Sequence, residues 1–185
     1  SESPAPGGGS ISAYVGALGV SLCTMVANLS ANKRGWDDRW EDYSNWAVKG
    51  QALKEKLLFF VDEDTHSFNK VMDAFRLPKG SDEEKAHRSE AISKATKYAI
   101  DTPLAVMQTA YDSMQIMLEM SKIGLEASVS DAGVGAMCAL TAIRGAGLNV
   151  KINCSGFKDA AFVEDRLSKA ADIIKNATAL ESEIV

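Results

Sequence analysis

Leu57, Val61, Asp64, Phe68, Val71 and Phe75 follow one another at steps of four, three, four, three and four residues. That spacing keeps all six on one side of an α-helix. Five are hydrophobic and the sixth is an acid. An ionised carboxylate facing a core is costly unless it is paired or hydrogen-bonded, and one left unpaired keeps its proton instead. A carboxyl that holds a proton near neutral pH is what a general acid needs. The spacing is equally met if Asp64 lies at the margin of the stripe or pairs with a Lys or Arg of another helix, since structural ion pairs perturb acids too.

Other polar groups stand at places where they could serve a site. Pro6-Gly7-Gly8-Gly9-Ser10 precedes an apolar run and offers free backbone N–H groups at the positive end of a helix dipole, which suits an anion. A flexible hinge is the alternative, and neither the P-loop nor the dinucleotide fingerprint is present. Lys33-Arg34, after that run, reads as a solvated helix end or an anion clamp. Ser130-Asp131 reads as an N-cap with a first-turn acid, or as a loop acid aimed into a site. Asn149 and Asn153, in Asn-Val-Lys-Ile-Asn, carry amides that could pair with a ligand or satisfy local backbone. His66 and His87 are far apart, and His66 faces another side of the helix from Asp64. No metal-ligand set and no Ser/His/Asp or Cys/His arrangement emerges, which disfavours metal and covalent-nucleophile chemistry.

The elements that must position these groups are helical throughout, with no alternating run that makes a convincing strand. Ser10 is expected to cap a helix over Ile11–Asn28, rich in Ala, Gly and Ser. A second helix is expected from Asp37 to Phe75, broken near Gly50. Ser81 and Glu84 form a capping box that opens a third, which Pro103 should kink or split. Met107, Met114, Met117 and Met120 read as core filler. Gly124–Ser130 reads as a loop, Ser130 or Asp131 as the start of a helix reaching Gly147, and Asn149–Phe157 as irregular or extended. A last helix is expected over Lys158–Glu183.

At 185 residues the chain is one domain's worth, with no internal repeat, and an all-α multihelical domain is the fold class expected. Twenty basic against 25 acidic residues leave a net charge of −5, which argues against nucleic acid as a partner. Ile11–Leu29 is apolar enough to be mistaken for a membrane span, but its Ser, Thr, Asn and Gly residues favour a buried helix. Cys23, Cys138 and Cys154 are odd in number and widely spaced, as expected of free thiols in a reducing, cytoplasmic compartment. Ser1–Gly9 is turn-forming and lacks a basic segment, so no signal peptide is expected.

Taken in order along the chain, these motifs resemble one family. Pro-Ala-Pro-Gly-Gly-Gly-Ser at 4–10 is similar to the opening signature of the cyclodeaminase domain of formiminotransferase-cyclodeaminase, shared with single-domain methenyltetrahydrofolate cyclohydrolases. Val61-Asp62-Glu63-Asp64 with Phe68 resembles the family's acidic helix motif. Leu77-Pro78-Lys79 with Glu83-Glu84-Lys85 and Arg88 resembles its central turn. Ser130-Asp131 and Asn149-Val150-x-Ile152-Asn153 resemble the two later motifs.

The resemblance implies an all-helical homodimer with folate bound where subunits meet and no cofactor beyond the tetrahydrofolate substrate. It implies that Asp64 is the catalytic acid/base in closing 5-formimidoyltetrahydrofolate to 5,10-methenyltetrahydrofolate with loss of ammonia. It further implies that Asp62 and Asp131 orient the pterin or tune Asp64, and that Gly7, Gly8, Gly9 and Ser10 pack on the ligand through backbone. Asn149 and Asn153 would give polar contacts, and Lys33 would attract the folate's carboxylate tail. A cyclohydrolase, or a non-catalytic folate-binding or dimerisation module, are the rival functions. Two departures stand out: Gly124-Leu125 where relatives often have Gly-Asn, and a start at the glycine loop where relatives usually have a short helix. The second suggests a piece cut from a longer fusion with a formiminotransferase domain.

Overall fold

A computed structural model of the chain describes every residue except Ser1, Ser3 and Asp37. The expected helix start at Asp37 therefore lies outside the described residues. Among those described there are five α-helices and no strand: α1 (Gly8–Ala31), α2 (Trp40–Arg76), α3 (Asp82–Ile123), α4 (Val129–Cys154) and α5 (Ala160–Ile184), with one 3-10 turn at Glu126–Ser128.

α1 is the central helix, packed on α2, α3 and α4, and its small residues let the neighbours in. A Cβ at Gly19 would stand 2.7 Å from the Gly135 carbonyl oxygen, and one at Gly135 would stand 2.7 Å from Cys23 Sγ. Two backbones can come this close only where neither carries a side chain. Gly50 does the same work on α2, where a Cβ would lie 3.3 Å from Thr24 Cβ. The glycine is a packing device, and α2 runs unbroken through it, contrary to expectation. Consecutive helices α1 to α5 alternate in direction, so α1 lies antiparallel to both α2 and α4.

The four methionines of α3 are fully buried, each contributing about 1.5–3 kcal/mol by leaving water. The Ser81–Glu84 capping box is present in both directions, at 3.1 Å each way. α3 is also unbroken, passing through Pro103 without splitting. Cys23 and Cys154 are buried free thiols and Cys138 is half-buried.

Two boundaries differ in a way that matters for the site. α4 begins at Val129 and continues to Cys154, so Asn149 and Asn153 lie on its last turns and not in an irregular segment. α1 begins at Gly8 with Gly7 as its N-cap, so Ser10 sits inside the first turn. By length and hydropathy α1 and the segment 126–154 could each cross a bilayer, and about half of each is buried against the rest of the protein.

Candidate active site

α2 passes the start of α1 at Asp64, and the carboxylate is turned onto the helix end. Asp64 Oδ2 accepts from the Ser10 backbone N–H at 2.8 Å and from the Ser10 hydroxyl at 3.0 Å. Gly7 offers no side-chain cap, so a first-turn N–H of α1 finds its acceptor on another helix. The anion that this glycine-rich helix start suits is the protein's own acid. Each charge-assisted bond contributes about 1.5–3 kcal/mol, and together the two donors hold the carboxyl on the end of α1. Gly9 makes the arrangement possible: a Cβ there would overlap the carboxyl, standing 2.6 Å from Asp64 Cγ.

The apolar stripe leaves the core at this point. Leu57 is fully buried, Val61 and Asp64 are half-buried, and Phe68 and Phe75 are 38% and 49% exposed. Asp64 is thus not an orphan facing a core. It is a hydrogen-bonded acid at the mouth of a cavity, and the stripe beyond it is that cavity's wall.

The cavity has a volume of about 370 Å³. Gly7 and Gly8 bound it on one side, Asp64, Phe68 and Val71 on another; Thr96 and Ala99 come from α3, Asn149 and Asn153 from α4. The two asparagines are one helical turn apart and share a face. Asn149 Nδ2 donates to the Gly145 carbonyl at 3.0 Å, and Asn153 Nδ2 to the Ala99 carbonyl at 2.8 Å. The second bond explains how α3 survives its proline. Pro103 has no N–H, so the Ala99 carbonyl four residues earlier loses its helical donor, and Asn153 replaces it. Neither asparagine's amide oxygen has a donor among the described residues, which leaves both on the cavity wall for a ligand.

Ser10 and Gly9 thus support Asp64 from behind, while Gly7, Gly8, Asn149 and Asn153 line the space in front. The remaining residues singled out in the sequence lie elsewhere. Asp62 is exposed and outside the cavity lining. Lys33 follows the far end of α1, roughly 36 Å from Gly8 at 1.5 Å per residue, with its ammonium 4.2 Å over the Trp36 ring. Asp131 is half-buried in the first turn of α4 at that same end. Burial, with a lesser push from Asp131 and Cys138, moves the Cys23 thiol up to about 12. Leu125 is there too, its N–H donating to Ser30 Oγ at 2.9 Å.

Sequence reading missed Thr96, which nothing in its neighbourhood marks, and the pair behind the acid, Tyr98 and Glu63. The Tyr98 hydroxyl donates to Glu63, which holds that carboxyl below its usual range, and Lys70 lies 4.0 Å over the Tyr98 ring. These contacts tie α2 to α3 one residue from Asp64.

A family model described as formiminotransferase-cyclodeaminase matches residues 1–172. A methenyltetrahydrofolate cyclohydrolase of Methylorubrum extorquens is 37% identical over 100% of this chain and 88% of its own length. A formimidoyltransferase-cyclodeaminase of Dictyostelium discoideum is 36% identical over 96% of this chain, which spans 32% of that longer protein. In fold the chain is similar to the crystal structure of formiminotetrahydrofolate cyclodeaminase from Thermotoga maritima, with a TM-score of 0.87 over all of this chain and 88% of the other, at 23% identity.

Proposed function

Because the chain belongs to the formiminotransferase-cyclodeaminase family, we propose that it remakes the one-carbon bridge between N5 and N10 of a tetrahydrofolate, with Asp64 carrying the proton. The observation that carries this reading is the Asp64 carboxylate, held on the end of α1 by Ser10 and facing a cavity lined by two asparagine amides. In the cyclodeaminase reaction N10 attacks the carbon of the protonated amidine (N5–CH=NH2+). A carboxylate takes the N10 proton as the ring closes to an aminal, then delivers it to the departing nitrogen, which leaves as ammonia. In this sequence Asp64 acts first as base and then as acid.

The cyclohydrolase reading uses the same group: Asp64 accepts a proton from the water that attacks the methenyl carbon and returns it to N5 as that C–N bond breaks. It is favoured by the Methylorubrum extorquens relative, which this chain matches over most of its length, and has support equal to the first. Assaying ammonia release from 5-formimidoyltetrahydrofolate beside hydrolysis of 5,10-methenyltetrahydrofolate separates them. Folate binding with neither activity would reject both and leave a binding module.

A homodimer belongs to the same proposal. Ile11, Tyr14, Leu18, Met25 and Leu29 form an exposed apolar stripe along α1, beside Val134, Met137, Leu148 and Ile152 on α4. Such a face, on two adjacent helices, suits a second copy of this chain. The α1 stripe is roughly symmetric about the helix midpoint, as an isologous contact requires. Antiparallel pairing of the two α1 helices would carry Lys33 and Asp131 of one subunit toward Asp64 of the other.

A further inference from the structure

The cavity wall contributed by α2 and by Thr96 of α3 stands on an arm with almost no core. From Asp64, through the α2–α3 turn, to Lys97 on α3, only Ser67 and Ala74 are buried. Asp64, Phe68, Val71 and Thr96, all groups of the wall, belong to this arm. A segment with so few buried apolar contacts is held weakly by packing. Its distance from α4 must be set by other contacts.

Polar contacts do this at the root of the arm. Glu63 and Tyr98 flank it, one residue before Asp64 and one after Lys97, and the Tyr98 hydroxyl donates to the Glu63 carboxylate. Lys70 Nζ lies 3.4 Å from the same carboxylate and 4.0 Å over the Tyr98 ring, and His66 Nδ1 lies 3.5 Å from it. The Glu63 side chain is only 12% exposed. The bond from Tyr98 does most to hold its carboxyl below the usual range, so it is an ionised acceptor at neutral pH. The next residue of α3, Ala99, is tied to α4 by Asn153, where Pro103 leaves the helix one donor short. Two consecutive residues of α3 thus reach both neighbouring walls: Tyr98 goes to α2 beside the acid, and Ala99 to a cavity amide. Neither Glu63 nor Tyr98 lines the cavity itself.

Resting on the folate reading above, we propose that Tyr98 and Glu63 are positioning residues for the chemistry at Asp64: their bond braces α2 against α3 and fixes how far the Asp64 carboxyl stands from the Asn149 and Asn153 amides. Ser10 holds the carboxyl from α1, and the brace holds the stretch of α2 that carries it. Without the brace the arm is free to swing at its root, and the carboxyl meets Ser10 less often. Tyr98→Phe removes only the hydroxyl and keeps the ring beneath Lys70, so the fold is retained.

The test compares the wild type with Y98F, E63A, Y98F/E63A, D64N and Y98F/D64N. It reads kcat and KM for 5-formimidoyltetrahydrofolate and 5,10-methenyltetrahydrofolate, thermal melting, and amide hydrogen exchange. The exchange probe is Ser10, whose N–H donates to Asp64, read against Glu84, whose N–H donates to Ser81. Y98F and E63A should each lower kcat by about tenfold, short of the roughly 100-fold of a 1 Å displacement, with KM nearly unchanged. Ser10 exchange should rise severalfold relative to Glu84. Y98F/E63A should be no slower than either single variant, and Y98F should cost D64N nothing further, as groups acting through one another require. Unchanged kcat and Ser10 exchange in Y98F, even with a lower melting temperature, would make the pair a structural tie and overturn the proposal. An equal further loss in Y98F/D64N would overturn it too. Neither turnover in the wild type, with Ser10 exchange still raised by Y98F, would overturn the folate reading and leave the positioning of Asp64 standing.

Discussion

At one end of the antiparallel α1–α4 pair, Gly7 to Ser10 and Asn149 gather around Asp64; at the other, Lys33, Asp131 and Leu125 lie far from that cavity. The contrast shows two ways a polar residue can be placed. Near the cavity three polar side chains are fixed by partners: Ser10 on Asp64, Asn149 on Gly145, Asn153 on Ala99. At the far end the polar groups are not joined into one site within a subunit. If they serve folate at all, a second copy must bring them to it.

The near end can be broken by a single methyl group. Gly9→Ala puts a Cβ against the Asp64 carboxyl, and because a displacement of about 1 Å costs on the order of 100-fold, kcat/KM should fall by about that factor. Circular dichroism and thermal melting should show the fold retained. An active G9A enzyme would mean that the carboxyl is not held where the chemistry needs it.

Asn153 sharpens the same end through stability. Asn153→Ala leaves the Ala99 carbonyl without a donor and should cost about 1–3 kcal/mol in denaturant unfolding. In a Pro103→Ala background residue 103 regains the N–H that Ala99 lacks, so the loss should largely vanish. A double-mutant cycle reads this coupling directly. Additive effects would show that Asn153 does not stand in for the missing helical donor.

The far end yields a smaller effect and a test of the second copy. Lys33→Ala should raise KM by up to about tenfold, the scale of one partly exposed charge pair with a ligand carboxylate, with kcat nearly unchanged. If partners share sites, mixing Lys33→Ala subunits with Asp64→Asn subunits should return one intact site per mixed dimer. Activity no greater than the sum of the separate variants would place Lys33 outside the partner's site.

The smallest effect marks the helix crossing between the two ends. The folded-state pKa of Cys23 is raised from 9.0 to about 12, chiefly by burial. The unfolded thiol ionises first as pH rises, so this contribution to stability is full below about 9 and is lost progressively toward 12. Over the first unit above pH 9 the loss should stay below about 1.4 kcal/mol, and C23A should flatten that part of the curve.

Much of this was legible in the sequence, and the misses have physical causes. Helical spacing gave the elements because an apolar face must recur every three to four residues. The stripe through Asp64 was visible, but not that it leaves the core there, since exposure depends on where α1 ends. Asn149-Val-Lys-Ile-Asn looked irregular because two asparagines are poor helix formers. Packing and the Ala99 carbonyl override that preference. Gly50 and Pro103 looked like breaks because local rules see the backbone they disturb, and not the neighbouring helix that uses or repairs it. The Tyr98–Glu63 bond joins segments distant in sequence, and no local pattern announces it or Thr96.

Asp64 is the group on which proton transfer in both proposed reactions depends. Asp64→Asn keeps the size and can still meet the Ser10 hydroxyl, but cannot shuttle a proton. Turnover of 5-formimidoyltetrahydrofolate and of 5,10-methenyltetrahydrofolate at saturating substrate, beside folate affinity, tests it directly. Loss of at least 100-fold in whichever turnover the wild type shows, the scale of general acid/base catalysis, with folate affinity within a few-fold, is the expected result. Full turnover in a correctly folded D64N protein would contradict it.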